Sequence, residues 1–248
     1  MWFIRLLSFN LYIYIFNIGE DPLLASKLVE QLVWGLQSNN ISGCLKHYAL
    51  NEQETNRMSM NSNVDRRTAM EMYYPSFEAA IDAGIGSIMC SYNRINGTYA
   101  CESYQMLEVD LRQKLGFKGW VRSDGWATHS TAPSANAGME QEMPQVVYFD
   151  QRLMDAVKSG EVSETRFRQM AERQITALIA LNMMDNSPPD IQYKAIATSP
   201  ERVQFAREVV EKSTVLLKNE DQFLPLNANN IKTIAVFGDE KTFAPGKN

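Results

Sequence analysis

The sequence predicts an α/β fold, in which short apolar strands alternate with longer amphipathic helices and pair into a parallel sheet. Two observations carry this prediction: several apolar runs of four to eight residues end in polar side chains, and helical periodicity follows most of them. The chain has 248 residues, of which 45% are hydrophobic and 21% are charged. That composition is typical of a globular protein with a sizeable core.

The first predicted elements are a helix, a strand and a second helix. The helix over Asp21–Ser38 opens with Asp-Pro and carries leucines at helical spacing. Ile41–Tyr48 is typical of a buried strand, and Arg67–Ala83 of the next helix, with Gly84 as its stop. These three elements form the first αβα repeat of the predicted fold.

Two further strands follow. Ser87–Tyr92 is apolar and precedes an Asn-Gly turn and a predicted helix over Glu102–Leu115. The next strand, Trp120–Ser123, stops immediately before Asp124. In an α/β barrel the carboxyl ends of the strands deliver side chains to the active-site face, so Asp124 is a candidate functional residue.

The C-terminal part of the chain predicts helices and one more strand. Gln151–Met184 is mostly helical in pattern, Ser-Pro-Pro then breaks it, and Pro200–Lys218 is helical again. Ile231–Gly238 is an apolar strand that opens another α/β unit. About four strand candidates precede Ser130, whereas a closed barrel needs eight. We therefore expect half a barrel, from a fragment or a truncated gene model, with open sheet edges that favour aggregation.

Charge and residue counts exclude several classes of partner. The net charge is -5 and no run of Lys or Arg exceeds two residues, so nucleic acid is not an expected partner. Three cysteines and two histidines without metal-ligand spacing predict neither a structural zinc site nor a disulfide scaffold. Cys90 and Cys101 are compatible either with a short disulfide loop or with two buried thiols, and both alternatives stay open.

The N-terminal residues 1–18 are apolar and aromatic. Arg5 is the single charge, Asn10 and Asn17 interrupt the run, and no small-residue cleavage site follows it. Both a signal peptide and a membrane span are therefore weak interpretations, and no membrane partner is expected.

Several residues at predicted strand ends suit a polyhydroxylated ligand. Lys46 and His47 end one strand and precede a polar loop, while Tyr92 and Trp126 follow two others. Sugars are held by directional hydrogen bonds together with an aromatic face, and these four side chains supply both. Any one of them alone would fit a solvated loop equally well, but their recurrence at successive strand ends favours a sugar site.

Three sequence blocks resemble consecutive motifs of glycoside hydrolase family 3, the family of β-glucosidases and related exo-acting β-glycosidases. The blocks are KHYALNEQETNR, SIMCSYNRINGTYACE and LGFKGWVRSDGWATHSTAPSANAGMEQEMP, and STVLLKNEDQFLPL resembles the family's linker into a second domain. The resemblance implies a partial (β/α)8 TIM-type barrel followed by the first strand of an α/β sandwich domain. Its expected divisions are a divergent N-terminus over 1–18, the C-terminal portion of the barrel over 19–185, a linker with a helix over 186–230 and the start of the sandwich over 231–248.

The resemblance also implies a retaining double displacement on a terminal β-linked glucosyl residue, with Asp124 as the nucleophile. Lys46 and His47 would bind sugar hydroxyls, Met89 and Tyr92 would line the same subsite, and Trp126 would contact the substrate. Core filling is an equally good interpretation of Met89, and a packed ring of Tyr92. The acid/base Glu of the family belongs to the second domain and is expected beyond residue 248. No cofactor or metal is implied.

The chain departs from the family pattern in three respects, of which one is that the family's upstream Asp that binds the sugar is expected before residue 1 and its acid/base Glu beyond residue 248. The other two departures lie within the chain. It has Ser123-Asp124-Gly125-Trp126 where the family has Ser-Asp-Trp, and Tyr12-Ile13-Tyr14 where the family has an Arg that binds sugar. Glu140 and Glu142 follow the nucleophile in AGMEQEMP, a segment that the family uses structurally. His129 fits an ordinary loop residue. Glu140, Glu142 and His129 are therefore not expected to replace the missing acid.

Three hypotheses follow from these residues. The first is part of a two-domain β-glucosidase, with little or no activity expected of the chain as written. The second is a degenerate, non-catalytic sugar-binding or vestigial protein. A third, a Schiff-base enzyme using Lys46, is motivated only by a lysine at a strand end. The resemblance implies a secreted or lysosome-like location and a β-linked glucoside or oligosaccharide substrate, and it leaves the oligomeric state undetermined.

Overall fold

The computed structural model describes residues 20–185, 196–235 and 237, which fall into two compact units on either side of the gap after residue 185. The first unit contains all six strands of the described residues and six α-helices. The second contains one α-helix and one 3-10 turn. The predicted N-terminal segment 1–18 and the Ser-Pro-Pro break lie outside the described residues.

The central sheet has three parallel strands: β1 (Cys44–Tyr48), β3 (Ser87–Cys90) and β6 (Trp120–Ser123), in the order β1-β3-β6. Leu45, Ile88 and Val121 stand in register across the three strands and have no exposed surface. Because side chains alternate along a strand, this row forms the core face. The prediction of an α/β fold with a parallel sheet is therefore confirmed.

The sheet continues for one position beyond β6. Arg122 and Gln141 form a parallel bridge, and the Ser123 amide donates to the Gln141 carbonyl at 2.8 Å. The chain after the loop of β6 therefore returns to lie beside the same strand, as the next strand of a parallel sheet would.

A second, smaller sheet was not predicted from the sequence. It consists of β2 (Asn61–Ser62), β4 (Arg94–Ile95) and β5 (Thr98–Tyr99). The hairpin between β4 and β5 turns at Asn-Gly, with φ of 49° and 96°, and positive φ at both positions is what a two-residue hairpin of this type requires. Strands of two residues carry too little periodicity to be recognised in a sequence.

Helices pack against the strands of the central sheet. The α-helices of the first unit are α1 (Pro22–Gln37), α2 (Arg66–Thr68), α3 (Pro75–Asp82), α4 (Ala132–Ala137), α5 (Gln151–Ser159) and α6 (Glu164–Ala180). The Asp21 carboxylate caps α1 by accepting from the Leu23 amide at 2.8 Å. α1 packs on α3 and buries Val29 and Val33 in the core.

Two predicted helices have a different internal structure. Arg67–Ala83 is divided into α2, a π-helical turn over Ala69–Tyr73 and α3, because Pro75 has no amide to continue the hydrogen-bond ladder. Glu102–Leu115 is a 3-10 turn over Ala100–Glu102 followed by a π-helix over Gln105–Lys114. The apolar periodicity predicts a helix in both cases but does not distinguish α-, 3-10 and π-helices.

The predicted helical stretch Gln151–Met184 is two helices. Gly160 ends α5 in the left-handed conformation at φ 83°, and the Ser163 hydroxyl begins α6 by accepting from the Arg166 amide. Glycine adopts that conformation without a steric penalty, so it is a strong helix stop. The sequence contains both signals, a Gly and a capping Ser three residues apart.

Two elements predicted in the second unit differ from the structure. The helix predicted over Pro200–Lys218 is α7 (Pro200–Ser213), and it ends early because the hydroxyls of Ser213 and Thr214 donate to the Val210 carbonyl. The strand predicted over Ile231–Gly238 was wrong for residues 231–235, which have no regular structure. A strand forms only against a neighbour, and residues 196–235 contain no strand with which it could pair.

Cys90 and Cys101 form a disulfide with Cα atoms 5.2 Å apart, which decides between the two alternatives that the sequence left open. Both residues are buried, and the bond ties the end of β3 to the 3-10 turn after the hairpin. Across the described ranges, no helix has the length and apolar character that crossing a membrane requires.

Candidate active site

The carboxyl ends of β1, β3 and β6 bring together His47, Tyr92 and Asp124. His47 lies within β1, Tyr92 lies two residues after β3, and Asp124 follows β6 directly. The Asp124 amide donates to the Cys90 carbonyl at 3.2 Å, so the last residue of β3 fixes the backbone at Asp124. Neighbouring parallel strands thus place three side chains from distant parts of the sequence at one edge.

Asp124 is held by three groups. Its Oδ2 lies 3.0 Å from His47 Nε2, its Oδ1 accepts from the Gly125 amide at 2.7 Å, and the Tyr92 hydroxyl donates to the same carboxylate. Burial by itself raises the pKa of Asp124, but these contacts outweigh it and leave the pKa below its ordinary value. The carboxylate is therefore ionised at neutral pH.

His47 reaches Asp124 because the pairing of β1 with β3 is irregular. Lys46 pairs with Met89 and Tyr48 pairs with Cys90, so His47 is an extra residue between two paired positions. Such an irregularity changes the direction of a side chain at the end of a strand. The His47 side chain is 1% exposed, and the contact with Asp124 is shielded from water.

Tyr92 lies between Asp124 and Arg57. Its ring is buried, and the Arg57 guanidinium lies over it at 4.8 Å from the ring centroid. A Cβ at Gly125 would lie 3.7 Å from the Tyr92 hydroxyl, which shows that the chain after Asp124 passes directly against this phenol. The sequence analysis singled out Tyr92 but did not predict that Arg57 lies on its ring.

Lys46, Met89 and Arg122 stand in register on β1, β3 and β6, on the face of the sheet opposite the core row. Met89 is buried but does not belong to the main apolar cluster. Both Lys46 and Asp124 act on the pKa of Cys44, which burial raises above its ordinary value. Lys46 and Met89 therefore lie on the same face of the sheet as Arg122, which precedes Asp124 by two residues.

Trp126 lies on the tight turn after Asp124. Its φ is 62°, its amide donates to the Met143 carbonyl at 3.0 Å, and its side chain is 60% exposed. A largely exposed indole two residues from the buried carboxylate presents an aromatic face to solvent beside the site.

The carboxyls of AGMEQEMP are engaged elsewhere. Glu140 is fully buried and accepts from Arg112 at 2.8 Å and from Arg166 and Arg173 at 2.9 Å each. Glu142 accepts from three consecutive amides over residues 147–149. Neither carboxyl is available to act on a ligand beside Asp124.

His129 is also engaged away from Asp124. Its ring stacks on Tyr99 with centroids 3.7 Å apart, and burial lowers its pKa. Within the ranges that the structure describes, no group of three or more His, Cys, Asp or Glu could hold a metal ion.

Sequence reasoning missed two features of the site region. One is Arg57 on the face of Tyr92, for which the dense polar loop NEQETNR was the only hint. The other is the cluster of three arginines around Glu140, whose members come from the π-helix over Gln105–Lys114 and from α6. Contacts between such distant positions leave no pattern in a single sequence.

These features define an α/β protein with an ionised carboxylate at the carboxyl edge of a parallel sheet. Residues 17–177 match the profile of the glycosyl hydrolase family 3 N terminal domain, and the chain belongs to this family. The resemblance of the three sequence blocks is thereby confirmed.

Curated relatives are named as β-glucosidases. The chain is 38% identical over 241 residues to the probable beta-glucosidase L of Aspergillus terreus, covering 91% of this chain and 32% of the relative. It is 40% identical over 233 residues to the beta-glucosidase cel3A of Pyricularia oryzae, covering 92% and 32%. The chain thus spans about a third of the length of these relatives.

Solved structures agree with this assignment. The fold is similar to that of the beta-D-glucoside glucohydrolase from Trichoderma reesei, with a TM-score of 0.77, 36% identity and coverage of 84% of this chain and 30% of that one. It is also similar to DesR, a beta-glucosidase from Streptomyces venezuelae in complex with D-glucose, with a TM-score of 0.72, 35% identity and coverage of 84% and 28%.

Proposed function

We propose that this chain is the nucleophile-bearing part of a retaining β-glucosidase that hydrolyses terminal β-linked glucosyl residues by double displacement. In such a mechanism an ionised carboxylate attacks the anomeric carbon and forms a covalent glycosyl-enzyme, which water then hydrolyses. The observation that carries the assignment is Asp124, a carboxylate with a lowered pKa at the end of β6.

The remaining site residues have binding roles in this proposal. Lys46 and His47 hydrogen-bond sugar hydroxyls, Met89 and Tyr92 line the subsite of the cleaved glucosyl residue, and the exposed Trp126 stacks on the substrate. The support is their common position at the carboxyl edge of the sheet, together with the glucose that the relative DesR holds. Apolar faces with a few directed hydrogen bonds are what a sugar requires.

We assign no acid/base group to the described residues. A retaining glycosidase needs a second carboxyl about 5–5.5 Å from the nucleophile. Glu140 and Glu142 are both engaged by other partners, so the proton donor would come from a part of the relatives that this chain does not span. It follows that residues 1–248 alone would show little or no hydrolysis.

The domain organisation that we propose is a partial (β/α)8 barrel over residues 19–185, a linker over 186–230 and the start of an α/β sandwich domain over 231–248. The support for the barrel is the strand order of the central sheet. The parallel strands β1, β3 and β6 and the bridge to Gln141 lie side by side in the order in which they occur in the chain, as in a barrel. We also propose a secreted or lysosome-like location, which fits the buried disulfide.

The test is hydrolysis of an aryl β-glucoside by the longest natural form of the protein, followed by proton NMR of the first glucose released. Release of the β-anomer supports retention, and release of the α-anomer contradicts it. The matched variant is Asp124→Asn, which keeps the size of the side chain. Glucose binding by calorimetry without any hydrolysis would instead identify a non-catalytic sugar-binding protein.

A further inference from the structure

Two asparagines of the chain begin an Asn-x-Ser/Thr sequence in which the middle residue is not proline. Asn40 begins Asn-Ile-Ser, and Asn96 begins Asn-Gly-Thr. This three-residue sequence is the acceptor for N-linked oligosaccharides in secreted proteins, where the modified asparagine lies on the surface. The function proposed above uses neither of them.

Asn40 lies in an exposed turn and not beside a buried strand. The strand predicted over Ile41–Tyr48 would place Asn40 next to the core and make it inaccessible, but β1 begins only at Cys44. Residues 38–40 form a turn after α1, in which Asn40 is exposed and its backbone amide donates to the Gln37 carbonyl at 3.1 Å. The structure therefore leaves the Asn40 side chain on the surface.

Two neighbouring asparagines in this turn differ in the contacts of their side chains. Asn39 Nδ2 donates to the Gly35 carbonyl at 2.8 Å and so satisfies one of the carbonyls at the end of α1. The Asn40 side chain makes no hydrogen bond within the described residues. Asn40 Nδ2 can therefore carry a substituent without the loss of a contact that the fold uses.

The hydroxyl of Ser42 is not used by the fold either. Ser42 Oγ is buried, and it has no hydrogen-bond partner in the part of the chain that the structure describes. A buried hydroxyl without a partner costs free energy that an alanine would avoid. Recognition of the acceptor sequence requires this hydroxyl and takes place before the chain folds. The two polar groups that the modification needs thus have no other role in the described fold.

Asn96 differs from Asn40 in this respect. Its Oδ1 accepts from the Val64 amide at 3.0 Å, and its Nδ2 donates to the Val64 carbonyl at 2.9 Å. These two bonds tie the hairpin of β4 and β5 to the chain before α2. The fold itself therefore accounts for an asparagine at position 96.

We infer that Asn40 is a site of N-glycosylation. In this modification Asn40 Nδ2 attacks the anomeric carbon of an oligosaccharide that is carried on a lipid diphosphate. The new C–N bond forms as the C–O bond to the diphosphate breaks, and the amide nitrogen loses one proton. The inference rests on the secreted or lysosome-like location proposed above, because this donor acts in the secretory pathway.

The oligosaccharide would lie far from Asp124. Asn40 precedes the amino end of β1, whereas Asp124 follows the carboxyl end of the parallel strand β6. The five residues of β1 alone span about 13 Å, at about 3.3 Å per residue. We therefore expect hydrolysis to be independent of the modification.

The experiment is expression of the longest natural form of the protein in yeast behind a yeast signal peptide. Peptide N-glycosidase in heavy-oxygen water then converts a glycosylated asparagine to aspartate with one heavy oxygen, which mass spectrometry locates in the peptide. We expect this label at residue 40. Peptides from both the medium and the cells are analysed, so that poor secretion does not hide the result.

The variants separate the acceptor sequence from the turn. In the Asn96→Gln background, Asn40→Gln and Ser42→Ala should each lower the mass of the intact protein by one oligosaccharide. The matched control is Asn39→Gln, which lies in the same turn but outside the acceptor sequence and should keep the oligosaccharide. An unlabelled residue 40 in the parent protein, or a labelled one in Ser42→Ala, would overturn the inference.

The outcome is independent of catalysis. Asn40→Gln should hydrolyse an aryl β-glucoside at the rate of the parent protein, because the turn lies at the opposite end of β1 from the site. Failure of the proposed function would show as the absence of hydrolysis in every form of the protein, with the label at residue 40 still present.

Discussion

His47 Nε2 lies 3.0 Å from Asp124 Oδ2, although the two residues are 77 positions apart in the sequence and sit on strands that do not pair with each other. β3 separates their strands, and the irregular pairing of β1 with β3 turns His47 toward the site. The contact is nearly inaccessible to water, where interactions between polar groups are stronger than at the surface. It therefore both orients the carboxylate and supports its charge.

Replacing His47 by Ala should remove this support. We expect kcat/KM of the longest natural form to fall about 100-fold, which corresponds to losing a buried hydrogen bond to a charged group. The acid limb of the pH profile should move upward, because the contact with His47 is among those that lower the pKa of Asp124. An acid limb that stays in place would show that His47 acts on the sugar alone.

Acid should destabilise the fold through Asp124, because its pKa in the folded protein is lowered. The stabilisation is complete above the unfolded pKa of about 3.9 and is lost as the pH falls through the lower, folded pKa. Urea unfolding at a series of pH values should show wild type losing stability relative to Asp124→Asn below about pH 4. A constant difference between the two proteins would contradict the lowered pKa.

The disulfide should stabilise the protein by closing a short loop. Cys90 and Cys101 are 11 residues apart, and a loop of that length is worth about 3 kcal/mol by the chain-entropy relation. Replacing both by Ala should lower the free energy of unfolding by about that amount. Cys44→Ala, which changes a free cysteine, is the control and should cost less. Equal losses in the two proteins would mean that the disulfide contributes nothing beyond its packing.

Glu140 should be essential for folding because it compensates three arginines. Its two oxygens accept from Arg112, Arg166 and Arg173 and from the Val121 amide of β6. Burial lowers the pKa of Arg112 to about 10, which reflects the cost of keeping its charge there. Removing one partner of a buried ion pair costs about 3–5 kcal/mol, so Glu140→Gln should lower the unfolding free energy by that amount.

The matched control is Glu142→Gln, two residues further along the same segment. Within the described part of the chain its carboxylate accepts from the backbone amides of residues 147–149 and pairs with no arginine, so the loss should be clearly smaller. Comparable losses in both variants, measured by urea unfolding, would refute the special role of Glu140.

The parts of the fold that follow from local pattern were predictable. The end of β6 at Asp124 follows from an apolar run and a polar stop, and the parallel sheet from the alternation of strands and helices. The helix start at Asp21-Pro22 follows from its capping residue. In each case a few neighbouring residues contain the whole signal.

What depends on distant partners was not predictable. His47 was expected at a strand end, but its direction depends on the pairing of β1 with β3. The strand predicted at Ile231 has the right composition and lacks a neighbour among the described residues. Arg57 and Tyr92 lie outside the regular elements and 35 positions apart in the sequence, so their contact depends on the folded chain. A single sequence contains the residue types for such contacts but not the contacts.

The central proposal is that Asp124 forms a covalent bond to the anomeric carbon of glucose. A 2-deoxy-2-fluoro-β-glucoside with a good leaving group slows hydrolysis of that intermediate and allows it to accumulate, so the labelled peptide can be identified by mass spectrometry after digestion. We predict one fluoroglucosyl label on the longest natural form of the protein, carried by the peptide that contains Asp124 and absent in Asp124→Asn. A label on any other carboxylate, or steady hydrolysis of ordinary glucosides by Asp124→Asn, would contradict the account.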